Sequence, residues 1–193
     1  MQVLDTTFPE VKIFKFNAHS DKRGLFVETW NQDCLEQLDE MPEWRQDCSS
    51  ISLKKGTIRG LHFQAPPTDQ CKLVRASKGS LFDVVVDIRH GSPTYGVHNT
   101  TILEADDYKQ LFIPSGFAHG FCTLEDNTEV TYKISGAYSP KQSGGIFWDD
   151  PDLGIDWPVN ASEAVLSKKD QTQPKFKNFP IIFRHNKEFS GAQ

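Results

Sequence analysis

Cys71-Lys-Leu-Val-Arg-Ala-Ser-Lys-Gly-Ser-Leu-Phe-Asp-Val-Val-Val-Asp-Ile88 divides into two short runs rich in branched and aromatic side chains, broken at Lys78-Gly79. Side chains that branch at Cβ suit a pleated strand, and glycine marks the turn. The same rhythm continues outward, through Val11 to Phe16, Gly24 to Trp30, Thr57 to Phe63, Val97 to Leu103, Gln110 to Ile113, Ala118 to Leu124 and Glu129 to Ile134. Ser20-Asp21, Lys55-Gly56, Gly91-Ser92-Pro93 and Pro114-Ser115-Gly116 punctuate these runs. Many short strands separated by such turns predict an all-β sandwich or barrel. One helix is predicted to open after Asn31 as N-cap, because Cys34, Leu35 and Leu38 form an apolar stripe at helical spacing.

At 193 residues without a Pro/Gly/Ser-rich linker, the chain is expected to form a single domain over 1–193, with 171–193 as a polar, Lys-rich tail. The apolar clump Phe179 to Phe183 would dock as a strand or against a partner subunit. A net charge of −5 argues against a basic stripe for nucleic acid, although Arg23, Arg59 and Lys72 can still hold one or two phosphates. The 4 cysteines, Cys34, Cys48, Cys71 and Cys122, lack C-x-x-C or zinc-type spacing and read as reduced cytosolic thiols. The N-terminus has no basic region followed by an apolar run, and no apolar stretch is long enough for a bilayer. A soluble cytoplasmic protein, engaging neither membrane nor nucleic acid, is expected.

In Thr57-Ile-Arg-Gly-Leu-His-Phe-Gln64, Arg59 and His62 are three apart, so a regular strand would face them to opposite sides. Gly60 offers a bulge, and an irregularity at Gly60 or Leu61 is predicted to bring both side chains to one cavity. The plain alternative is a surface arginine and a satisfied core histidine. Alternation places Lys72 with Val74 and Ala76, and Tyr132 with Val130 and Ile134, which points both polar groups inward. A buried phenol is commonly a hydrogen-bonded core residue. Ser167-Lys-Lys-Asp170 reads as a capping box opening a C-terminal helix.

Pro114, Gly116 and His119 match the P-x-G-x-x-H pattern of the second cupin motif, and they imply a cupin-type jelly-roll barrel with short flanking helices. Metal-binding cupins also carry an H-x-H pair and a Glu in the first motif, where this chain has His62 alone. No metal and no cofactor are therefore expected. A longer ordered match follows: Asp21-Lys-Arg-Gly24 with Glu28, Arg59 to Gln64, Lys72-Leu-Val-Arg75, Asp83 to Arg89, Ser92 to Gly96, Ile113 to Phe121, Tyr132-Lys133, Trp148 to Pro151 and Ile155 to Pro158. In these segments the chain resembles the dTDP-4-dehydrorhamnose 3,5-epimerase family.

That resemblance implies a homodimeric isomerase acting on a dTDP-linked 4-keto-6-deoxy sugar, on a route to deoxysugars for surface polysaccharide such as lipopolysaccharide. His62 would be the base that removes the proton beside the ketone, and Asp170 would fix its tautomer, a role that competes with the capping reading. Lys72 would hold the enolate oxygen, and Tyr132 would return the proton from the opposite face. Arg23, Arg59 and His119 would contact diphosphate or sugar, Glu28 and Tyr138 the base and its surroundings, and Gln46 the phosphates. Four positions depart from the usual pattern: Cys48-Ser49 stands where Asn-His is common, Ser143 where an acidic residue precedes Gly-Gly-Ile, and His19 where a stacking Phe is frequent. These leave open an epimerase that inverts only C3 or C5 of another nucleotide sugar. Two readings from other classes are a metal-dependent cupin enzyme using His62 and His119, and a silent sugar-nucleotide binding module.

Overall fold

The computed structural model describes residues 1–35, 38 and 42–185. Lys72–Lys78 and Thr128–Ser135 pair antiparallel, with Tyr132 opposite Val74 and Val130 opposite Ala76. Their apolar members therefore stand on one face, where Val74, Ala76 and Val130 are at most 3% exposed. They meet Leu81, Val85, Leu103, Phe117 and Phe121 from a second sheet, and this contact is the central core.

The first sheet runs in the order Gln2–Asp5, Lys12–Lys15, Lys109–Ile113, Lys72–Lys78, Thr128–Ser135, Trp44–Ser52. The second runs His98–Glu104, Ser80–Asp87, Phe117–Thr123, Ile58–Gln64, Ser143–Gly145. Every pairing in both is antiparallel, and most spatial neighbours are distant in sequence, as in a cupin-type jelly roll. The all-β expectation is met. Ser80–Asp87 is covered on its outer face as well, where Val84 and Val86 pack with Ile146, Leu153, Ile155 and Phe183. Burial on both faces accounts for its unbroken Val84-Val85-Val86 run.

Helical structure among the described residues is short 3-10 turns. After Asn31, whose side-chain oxygen accepts the Asp33 N–H at 3.0 Å, the chain makes a turn over Gln32–Leu35. Leu35 and Leu38 pack over Phe14, Leu73 and Phe112. The rest of the helix expected there, residues 36, 37 and 39–41, lies outside the described residues. In the tail, Phe183–Arg184 docks as a short parallel strand on Arg89–His90, and Phe179 and Phe183 pack edge-on against Phe63. No helix among the described residues is long and apolar enough to cross a membrane.

Candidate active site

A register fault in Ile58–Gln64 builds the site. His119 pairs with His62 and Phe121 with Arg59, so three steps on one strand oppose two on its neighbour. The added residue restores parity: Leu61 and Phe63 pack on the outer face, while Arg59 and His62 both line the cavity between the sheets. Gly60 lies at φ +152°, and a Cβ there would stand 2.5 Å from the Cα of Gly120. Two glycines are thus needed where the backbones touch. The irregularity expected at Gly60 or Leu61 is present, and the peptide between them is cis.

The cavity encloses about 480 Å³. His62 donates from Nε2 to Asp170 Oδ1 at 2.5 Å, and this assignment leaves Nδ1 as the basic nitrogen. Asp170 is 3% exposed. Burial works to raise its pKa, but the bonds from His62 and Ser167 outweigh that and hold the carboxyl below its ordinary range. Its N–H bonds Ser167 Oγ at 3.1 Å, opening the short 3-10 turn Asp170–Thr172. Both readings of Asp170 therefore describe real contacts, one made by its backbone and the other by its side chain.

Lys72 enters from the opposite sheet, half-buried, and burial pushes its ammonium down to about 8 while Asp83 resists the fall. Tyr132 comes from the adjacent strand, and its hydroxyl lies 3.1 Å from Ser50 Oγ. Burial raises the phenol, and the Ser50 bond and the Arg59 charge oppose this only in part, so Tyr132 stays protonated. Arg59 is held by Ser52 Oγ and the Ile51 carbonyl, each at 3.2 Å. Tyr138, 61% exposed, stands at the mouth.

His119 lines the same cavity from beneath and donates from Nε2 to Asp83 Oδ2 at 2.8 Å. Burial depresses its pKa despite that carboxylate, which keeps the ring neutral. Asp83 is fully buried and its Oδ1 has no hydrogen-bond partner among the described residues. Sequence reasoning did not single out Asp83 and Ser50, whose side chains bond His119 and Tyr132 at the cavity. Asp83 carried a signal, since alternation sets it between Leu81 and Val85 on the inward face, where an acid is out of place. Ser50 carried none that separates it from any strand serine.

Three residues expected at the site are not part of the cavity wall. Arg23 is exposed at the turn of the hairpin Ala18–Asp21/Gly24–Val27, paired with Asp21 at 2.6 Å. Glu28 is exposed and accepts from Asn31 at 3.3 Å. Gln46 is half-buried on Trp44–Ser52, opposite Ile134 and beyond the cavity-lining Cys48 and Ser50. A second hollow of about 400 Å³, on the outer face of the six-stranded sheet, shares Cys48, Ser49 and Tyr132 but lacks an acid–base pair of this kind. Among the described residues, no group of three or more His, Cys, Asp or Glu side chains is placed to hold a metal ion.

Residues 5–178 match the family model for dTDP-4-dehydrorhamnose 3,5-epimerase. The chain is 43% identical over 178 residues to the enzyme of that name from Sinorhizobium fredii, covering 92% of this chain and 91% of the relative. It is 45% identical over 177 residues to the one from Shigella flexneri, covering 91% and 96%. A crystal structure of the Legionella pneumophila dTDP-6-deoxy-D-glucose-3,5-epimerase in complex with dTDP-4-keto-L-rhamnose superposes with a TM-score of 0.90 at 36% identity, covering 96% and 98%. By sequence and by fold, the chain belongs to the dTDP-4-dehydrorhamnose 3,5-epimerase family.

Proposed function

We propose that the protein is a carbohydrate isomerase that inverts C3 and C5 of dTDP-4-dehydro-6-deoxy-glucose, giving dTDP-4-dehydro-L-rhamnose by metal-free proton transfer. One observation carries this reading: a carboxylate-bound imidazole, His62, and a neutral phenol, Tyr132, enter one cavity from opposite sheets, with the Lys72 ammonium between the same walls. His62 Nδ1 takes the proton from the carbon beside the ketone, and the C–H electron pair moves into a C=C bond as the carbonyl oxygen becomes an enolate. Lys72 holds that oxygen. Tyr132 then delivers a proton to the other face, the carbonyl re-forms, and the centre is inverted. Base and acid must stand on opposite faces, because a proton returned to the face it left regenerates the substrate.

The keto sugar bound in the Legionella relative supports a nucleotide-sugar substrate. Arg59 offers its guanidinium to the diphosphate, His119 a neutral ring to the sugar, and Tyr138 an aromatic face to the base. Arg23 and Glu28 sit beside Leu25 and Phe26, which are 53% and 69% exposed on the hairpin, and Gln46 lies on Trp44–Ser52 opposite the cavity-lining Ile134. That apolar tip favours a homodimer in which these three reach the nucleotide. The thiols of Cys48 and Cys122 are free, in keeping with a cytoplasmic enzyme. A single jelly-roll unit over 1–193, with 171–193 as its tail, completes the proposal. Incubation of the protein with the keto sugar in D₂O is expected to place deuterium at C3 and C5, and its absence from both carbons would overturn the reading.

A further inference from the structure

Residues 167–174 form a strap across the edge strand Ser143–Gly145. Phe147 N–H bonds the Pro174 carbonyl at 2.8 Å, and a Cβ on Gly145 would stand 2.6 Å from the Gln173 side chain, so strap and strand are in direct contact. Asp170 reaches from the strap to His62. Its neighbour Lys169 lines the same cavity, and Lys169 Nζ donates to Ser143 Oγ at 3.1 Å. Among the described residues Lys169 makes no ion pair, so a hydroxyl steadies its charge without cancelling it.

We propose that Lys169, steadied by Ser143, is a positioning residue that holds the His62–Asp170 pair in its proton-free form, extending the base to lower pH than the pair alone would reach. The inference rests on the reading of His62 as the base. Its physical content is Coulombic. Proton uptake takes the pair from one net negative charge to none, and a cation beside it stabilises the charged form more. Burial works against the Asp170 carboxylate, and Lys169 is among the groups that overcome it, after His62 and Ser167.

The other groups facing His62 set how large the effect is. Arg59 stands on its own strand, His119 on the neighbouring one, and Lys72, Tyr132 and Cys48 on the opposite sheet. Tyr138 closes the mouth, and Asp83 lies behind His119. Arg59 and Lys72 push in the same direction as Lys169, so losing Lys169 removes part of the bias. Lys169 is also exposed, and solvent screens it.

The test is a side-chain NMR titration of His62 in the full chain, with the resonance assigned by its loss in His62→Gln. Lys169→Met is expected to raise the midpoint by roughly half a pH unit, the size of a screened charge at this range. Lys169→Arg keeps the charge and should leave the midpoint in place. Ser143→Asp adds a carboxylate beside the ammonium and should raise it as the Met variant does. The acid limb of the kcat/KM profile should move with the titration. Wild type and Lys169→Met titrating together, or the Arg variant shifting as far as the Met variant, would overturn the proposal. So would a Met variant that raises KM while the titration stands still, because the ammonium would then be a ligand contact. The titration needs no substrate, so its result is separate from the deuterium test of the epimerase reading.

Discussion

Lys72→Met separates what the ammonium costs the fold from what it does for the chemistry. Burial lowers the Lys72 pKa from 10.5 to about 8, even with Asp83 attracting the charge. A folded value below the unfolded one means that the native state sheds its proton first. The charge therefore opposes folding wherever it is carried, and wild-type stability rises with pH between about 8 and 10.5. At about 1.4 kcal/mol per pH unit, the fall corresponds to about 3 kcal/mol at neutral pH. Methionine is close to lysine in length and carries no charge, and Val74 and Ala76 stand on the same strand face. The variant should therefore be up to about 3 kcal/mol more stable at pH 7, a melting point roughly 6–12 °C higher for a chain of this size. Turnover should fall about 10²–10³-fold, as when a preorganised donor to a developing oxyanion is removed. Thermal melts and initial rates across pH 7 to 10 measure both. The stability gap should be constant below pH 8 and narrow above it as the wild-type ammonium loses its proton. A Met variant that melts at or below wild type at pH 7, or one that keeps its activity within tenfold, refutes the reasoning.

Tyr132→Phe should cut inversion much more than deuterium exchange at the first carbon, and equal loss of both would mean that the phenol only packs. Asp170→Asn should lower kcat about 10²–10⁴-fold, the range of a disabled general base. Because the folded Asp170 pKa is depressed, its stabilisation is present above the ordinary value of 3.8 and disappears as pH falls through the lower folded value. Melting curves of wild type and Asp170→Asn should therefore converge in acid. Gly60→Ala should cost about 2–4 kcal/mol in urea titrations, combining positive-φ strain with overlap on Gly120. Gly24→Ala, at φ +127° with nothing within 4 Å of the added carbon, should cost only about 1 kcal/mol.

How far the site was legible in the sequence depended on whether parity along a strand decided the side chain's direction. Lys72 and Tyr132 sit in strands with apolar residues two positions away, and period two alone turns them inward. Arg59 and His62 break that parity, and Gly60 announced the break. The second half of the device, the Gly120 backbone that accepts the close approach, is long-range and has no local mark. In sequence Asp170 reads as either cap or catalytic partner, but a residue carries a backbone group and a side-chain group that can serve both. Its N–H and its carboxylate bond independently, to Ser167 and to His62. Arg23 and Glu28 stand exposed on the hairpin Ala18–Asp21/Gly24–Val27 and just after it, bonded to Asp21 and Asn31, and no local pattern in the sequence sets them apart from the cavity wall.

The two histidines of the cavity show why residue type alone did not assign the chemistry. His62 and His119 are direct partners in the strand register, and each donates Nε2–H to a carboxylate. Their surroundings differ. The side chain of His62 is 36% exposed, and its partner comes from the strap, which also carries Lys169. His119 is 4% exposed, and its partner Asp83 lies within the sheet; burial there drives the ring neutral. An accessible imidazole can take a proton from carbon and pass it to solvent between turnovers. A sealed one has no such exit, and its fixed, uncharged ring is suited to orienting a ligand. The proposed roles, His62 as base and His119 as contact, rest on where each carboxylate is anchored, one on a strap at the rim and the other in the floor.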